Sequence, residues 1–180
     1  MAFVDRVIER SVADRQAATT DEVRQLLDAA YRVIADSGRV DPPIRAILAE
    51  AGLSNPAFYR HFRGKDELLL ALLDEGRGQL VDYLEHRTSR CDDPDEALAE
   101  WIRGVLAQIS EPVAADRTRP FVTEVTRLHQ QFPAEQEASE AQLIDQLATI
   151  LGAGRAERAP LAYRTVFATL EHHVRRGTPP

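Results

Sequence analysis

Between Pro42 and Glu75 the chain reads PPIRAILAEAGLSNPAFYRHFRGKDELLLALLDE, and this stretch leaves few ways to fold. Pro42-Pro43 suits the opening of a helix, with Asp41 as its expected N-cap, because the first helical N–H groups have no intrahelical partner to lose. Ile44, Ile47 and Leu48 recur at helical spacing until Gly52, which can take the left-handed conformation of a tight turn at no steric cost. Leu53 leads to Ser54, another N-cap residue, and the spacing predicts a second short helix to about Phe62. Gly64 then separates this from a long helix expected to begin near Asp66. Two short helices joined by a glycine-containing turn have the form of a helix-turn-helix, whose second helix lays its N-terminal residues against base edges in the major groove.

Each position in the stretch has a physical reading. Ile44, Ile47, Leu48, Leu53 and Phe58 are placed to form the small core that fixes the inter-helix angle, and Phe62 joins them. Ser54 caps the second helix and leaves its positive end facing outward for a phosphate. Asn55, Pro56 and Ala57 open that helix, where side chains reach bases; Asn55 suits adenine and Ala57 a thymine methyl group. Tyr59, Arg60 and His61 are expected toward the sugar-phosphate track, with Arg45 on the preceding helix. Lys65 is expected at another phosphate, beside the start of the long helix.

The net charge of −7 looks wrong for such a role until it is divided along the chain. Residues 1–65 hold 10 basic and 9 acidic residues, a net of +1, whereas residues 66–180 hold 12 and 20, a net of −8. Within 43–65, Arg45, Arg60, Arg63 and Lys65 face a single acid, Glu50. A locally basic element on an acidic body still attracts phosphates, because screening confines each charge to about 8–10 Å in cell-like salt. The acidic remainder excludes a protein that coats nucleic acid over its whole surface, and the asymmetry suits two parts with different jobs.

The rest of the chain is rich in residues that lose least on entering a helix, and no strand-like alternation stands out. Breakers fall between periodic stretches, at Gly38, Pro94, Pro112, Pro120, Pro133 and the Gly152–Gly154 pair. The expected fold is therefore all-α. An amphipathic arm over residues 1–19 precedes a three-helix DNA-binding domain over 20–65, with Thr20 as a candidate N-cap, and a helical domain fills 66–180. The later helices are expected at about 66–88, 95–110, 118–131, 135–151 and 157–176, with Pro120 in the first turn of the third. No run approaches the roughly 18 apolar residues of a membrane span. The acidic residues among the first fifteen leave no signal-peptide core, and the lone Cys91 excludes an internal disulfide, so a cytoplasmic location is expected.

Catalytic, cofactor and metal chemistry find no support in the pattern. Cys91 lies among Asp92, Asp93 and Asp95, a polar acidic turn that does not suit a thiolate nucleophile. His86 and Cys91 do not share a helical face, and the adjacent His172 and His173 point apart. In the acidic part, Trp101, Val105, Phe121, Val125 and Leu128 either line an apolar pocket or form ordinary inter-helix core. Arg103, Glu124 and His129 are the polar candidates for orienting a ligand there.

On Ala51-Gly52-Leu53-Ser54, Phe58-Tyr59-Arg60-His61-Phe62, and Lys65 followed by Asp66, Glu67 and Leu68, the sequence resembles the TetR family of one-component regulators. Leu48 departs from the family's pattern, which has alanine there, and predicts altered packing between the two short helices. The resemblance implies a homodimer that reads a palindromic double-stranded DNA operator, with a helical ligand-binding and dimerisation domain whose small-molecule effector releases the DNA. A repressor is favoured over an activator, because occlusion needs only tight operator binding. The last two helices would pair with the partner chain, and two apolar stripes suit that role: Leu143, Ile144, Leu147 and Ile150, then Leu161, Val166, Phe167 and Leu170. The alternative from a different class is a helical dimeric interaction or small-molecule-binding module without operator binding.

Overall fold

The computed structural model describes residues 3–38 and 40–176, with the side chains of residues 3–11, 13–15, 112, 113, 116, 117 and 123 excepted. Among these residues every regular element is helical: α1 (Phe3–Ser37), α2 (Ile44–Ala51), α3 (Asn55–His61), α4 (Lys65–Thr88), α5 (Pro94–Ser110), α6 (Pro112–Gln131), α7 (Pro133–Leu151) and α8 (Ala159–Arg176), with a single 3-10 turn at Ala156–Arg158. The chain divides into two compact units at Leu69–Leu70, inside α4.

In the first unit α1 packs on α2 and α3. Its buried face carries Leu26, Leu27, Ala30 and Ile34, and Ile47, Leu48, Phe58, Phe62, Leu68 and Leu69 of the same unit are buried as well. Leu48 is among them at 7% exposure, so its larger side chain is accommodated inside the core. An ion pair of 2.6 Å between Arg32 and Glu50 ties α1 to α2 at the surface.

The expected arm and the helix expected to follow it are one continuous helix, which corrects the expected break before Thr20. No glycine or proline interrupts residues 3–37. The Thr20 hydroxyl donates to the Gln16 carbonyl at 2.9 Å, a back-bond within the helix and not a cap. The arm's Phe3, Val4, Val7, Ile8, Arg6, Arg10 and Arg15 side chains lie outside the described residues. Asp41 is likewise not the cap of α2: Pro43 occupies that position without a side-chain bond, and Asp41 pairs with Lys65.

The second unit is built from the remainder of α4 and α5–α8. Leu84 of α4, Trp101, Val105 and Ile109 of α5, Val122 of α6, Leu143 and Leu147 of α7, and Ala159, Tyr163 and Leu170 of α8 form one buried cluster. Gly104 lets α4 approach α5, since a Cβ there would lie 2.5 Å from a methyl carbon of the fully buried Leu84. The Trp101 indole N–H donates to Gln146 Oε1 at 3.3 Å, and Gln146 Nε2 donates to the Val81 carbonyl at 2.8 Å, so this buried ring leaves no orphaned donor.

Prolines set the starts of α5, α6 and α7, each at the first helical position, as their missing N–H allows. The expected start of α6 at 118 is too late. Pro112 opens the helix, and Pro120 lies well inside it, where it forfeits one backbone bond.

Candidate nucleic-acid interface

Gly52 closes α2 at φ +67°, and its N–H and that of Leu53 both donate to the Leu48 carbonyl. That turn delivers Ser54 in an extended conformation, and its Oγ accepts from the Ala57 N–H at 3.4 Å, capping α3 as expected. Phe58 (0% exposed) and Phe62 (6%) anchor α3 in the core, their ring centroids 5.7 Å apart. Because α3 is pinned by these two aromatics, its opposite side is presented outward.

That outward side carries Asn55, Pro56, Arg60 and Tyr59, with Tyr59 as much as 59% exposed. Ser54 and Arg45 are also exposed, and so is Arg63, which the motif had not singled out. Ala57 belongs with the core at 3% exposure, so the thymine contact foreseen for it is not available. The physical reason is helical period: Ala57 is neighbour to Phe58 on the buried arc, while Asn55 and Tyr59, four apart, share the outer one.

Arg60 and His61 at the end of α3 are held by an acid that sequence spacing could not reveal. Glu22 of α1 accepts from Arg60 Nη2 at 2.8 Å and meets His61 Nε2 at 2.6 Å. The Arg60 guanidinium, then His61, holds the Glu22 carboxyl below the usual carboxylate range. The His61 side chain is only 10% exposed, so it faces α1, whereas Arg60 is 57% exposed and stays at the surface. Lys65 pairs with Asp41 and keeps 30% of its side chain exposed. Glu67 reaches back from the first turn of α4 to accept from the Arg63 N–H.

Trp101 and Val105 are packed in the core of the second unit, and Phe121 (7%) and Leu128 (0%) are buried too. Arg103 is exposed and pairs with Glu100 one turn away, while Glu124 pairs with Arg127 at 2.7 Å. Each therefore has an i,i+3 partner on its own helix. Val125 and His129 are half-buried.

The proposed pairing stripes need the same correction in part. Leu143, Leu147 and Leu170 lie inside the chain's own core at 0%, 0% and 4% exposure, so no partner can reach them. Ile144, Ile150, Val166 and Phe167 are half-buried against that core. Leu161, the remaining member of the second stripe, is 70% exposed on the outer side of α8, and Arg164, Thr165, Ala168, Thr169 and His172 line a shallow groove along it. Among the described residues no group of three or more His, Cys, Asp or Glu side chains is placed to hold a metal ion, and no helix is long and apolar enough to cross a membrane.

Comparison with known proteins matches residues 26–72 to the family of bacterial regulatory proteins named for TetR. The fatty acid metabolism regulator protein of Bacillus subtilis is 28% identical over 102 residues, 56% of this chain and 50% of that one. The HTH-type transcriptional regulator BetI of Brucella anthropi is 36% identical over 79 residues, 44% of this chain and 41% of that one. The chain thus spans about half the length of the curated relatives it matches. Among solved structures, the transcriptional regulator FadR of Bacillus subtilis, in complex with stearoyl-CoA, superposes with a TM-score of 0.64 at 22% identity, covering 84% of each chain. At that identity the likeness is one of fold.

Proposed function

We propose that the chain, whose residues 26–72 match the family of bacterial regulatory proteins named for TetR, is a ligand-responsive repressor which binds a palindromic operator as a dimer. The observation that carries this reading is the outer face of α3. A capped helix, anchored by two buried phenylalanines, presents Asn55 and Tyr59 side by side with exposed arginines around them. Asn55 can offer a bidentate amide to adenine, while Tyr59, Arg45, Arg60 and Lys65 supply phosphate contacts that set register. The exposed N-terminus of α3 at Ser54 adds its own positive end. His61 supports the helix through Glu22 and does not reach outward.

A palindrome requires a second copy, and the outer side of α8 around Leu161 is the surface this reading assigns to it. A single large exposed leucine beside small threonine and alanine side chains allows two helices to approach closely. The acidic second unit then serves as the effector domain. No catalytic role is assigned.

Selection from random duplexes by the purified protein, followed by titration of the winner at two salt concentrations, tests the reading. A palindromic winner with a steep salt slope is expected, and Asn55→Ala should relax the preference at one base position per half-site. Tyr59→Phe should weaken binding to every duplex alike, since it removes a phosphate contact and reads no base. Failure to enrich any sequence, with binding no tighter than the ~10⁻⁴–10⁻⁶ M of non-specific contact, would sink the proposal.

A further inference from the structure

A buried cation in the second unit has less bonding than its position demands. Arg77 of α4 is 8% exposed. Its Nη1 donates to Gln136 Oε1 at 2.6 Å, and its Nη2 lies 3.5 Å from Glu140 Oε1, well beyond the ~2.7–2.9 Å of a formed charge-assisted bond. Gln136 is fully buried, Ser139 is 6% exposed, and Gln136 Nε2 and Ser139 Oγ are without any hydrogen-bond partner. Gln136, Ser139 and Glu140 follow one another at helical spacing on one face of α7. A third orphaned atom, Glu75 Oε2, is on α4. Tyr163 of α8, 5% exposed, feels the charges of Arg77, Glu140 and Glu171, and burial pushes its phenol up, so that it keeps its proton as a donor.

Native cores rarely leave two neighbouring donors empty beside an arginine, because each orphan forfeits a hydrogen bond it had in water. What Gln136 Nε2 and Ser139 Oγ each lack is an acceptor. A guanidinium fork, an amide N–H and a hydroxyl on the facing sides of α4 and α7 suit an oxyanion better than a neutral acceptor. The Glu140 side chain is 22% exposed, so the cluster lies one side chain from solvent, and its long contact with Arg77 marks it as a weak internal stand-in.

We propose that Arg77, Gln136 and Ser139 form the polar end of the effector site and take the oxyanion, carboxylate or phosphate, of a small molecule. The inference rests on reading the second unit as an effector domain. Binding displaces Glu140 from Arg77, exchanging a distant carboxylate for one in full contact, and Gln136 and Ser139 complete their bonds to the ligand.

Calorimetry on the full chain, with octanoate and octyl phosphate as probes and octan-1-ol as the uncharged control, reads this directly. At least one oxyanion should bind ~10-fold or more tightly than the alcohol, as a charge-assisted contact implies, and comparing the two identifies which head group is preferred. Arg77→Met should erase that difference, whereas Glu140→Gln should strengthen oxyanion binding by removing the competitor. Ser139→Ala keeps the test valid if Arg77→Met does not fold: it should leave the melting temperature unchanged or raised and weaken the probe severalfold. Equal affinity for all three probes, or a Ser139→Ala variant that melts earlier with unchanged affinity, overturns the inference. No DNA enters these titrations. A chain that binds the probe but enriches no duplex keeps the site and loses the repressor reading, and the converse result does the reverse.

Discussion

Glu22 shows how one residue can decide what its neighbours do. Arg60 and His61 read as phosphate contacts when α3 is considered alone, yet a carboxylate on α1 draws His61 inward and half-neutralises Arg60. Removing that acid should therefore add attraction for phosphate. Glu22→Gln is expected to raise affinity for random duplex DNA and to steepen the salt dependence by about one unit of slope, read by fluorescence anisotropy across a salt series. An unchanged slope would mean that Arg60 does not face the phosphates even when released. Acid should act on the same clamp. The folded carboxyl is depressed below its ordinary 4.5 by Arg60 and then His61, so the clamp's contribution is complete above 4.5 and is lost as pH falls through the lower folded value. A carboxyl-resolved titration by NMR should place the Glu22 midpoint below 4.5, and a midpoint at or above it contradicts the arrangement.

Among the elements, α3 is the one whose formation depends most on its ends. Seven residues are too few for a helix to persist on propensity, so the cap and the two buried aromatics hold it. Ser54→Ala should cost ~0.5–1 kcal/mol, the lower part of the usual capping range, because the Ser54 bond is long at 3.4 Å. Denaturant unfolding measures this, and a loss well above 2 kcal/mol would indicate that Ser54 does more than cap. At the other extreme, α1 extends to 35 residues without an internal breaker, and its polar Thr20 is absorbed by a back-bond to the preceding turn.

For the molecule as a whole, the separation into two cores makes core and surface leucines distinguishable by experiment. Leu147 is fully buried among α5, α7 and α8 residues, and Leu147→Ala should destabilise by roughly 2–5 kcal/mol, as large-to-small core changes do. Leu161 is 70% exposed, so Leu161→Glu should leave monomer unfolding nearly unaltered. If the outer side of α8 pairs with a second copy, that same change should shift sedimentation from dimer toward monomer at micromolar concentration. A dimer that survives Leu161→Glu places the pairing surface elsewhere. Leu161 and Leu170 both belong to the apolar positions of α8, and only their opposite exposures separate the two roles.

By itself the sequence determined the helical class and the turn at Gly52. It also determined the cap at Ser54 and the burial of Phe58 and Phe62, because each rests on local backbone physics or on a period of 3.6 within a few residues. Tertiary structure decided which sides of the helices met. It turned Ala57 inward, committed Leu143, Leu147 and Leu170 to the chain's own core, and set Arg103 and Glu124 in surface ion pairs. Periodicity locates an apolar stripe but does not say whether the chain or a partner covers it. Glu22 lies 38 residues from Arg60, and Arg77 lies 59 from Gln136. At such separations no local spacing carries a signal, and only the packed helices bring the charges within reach.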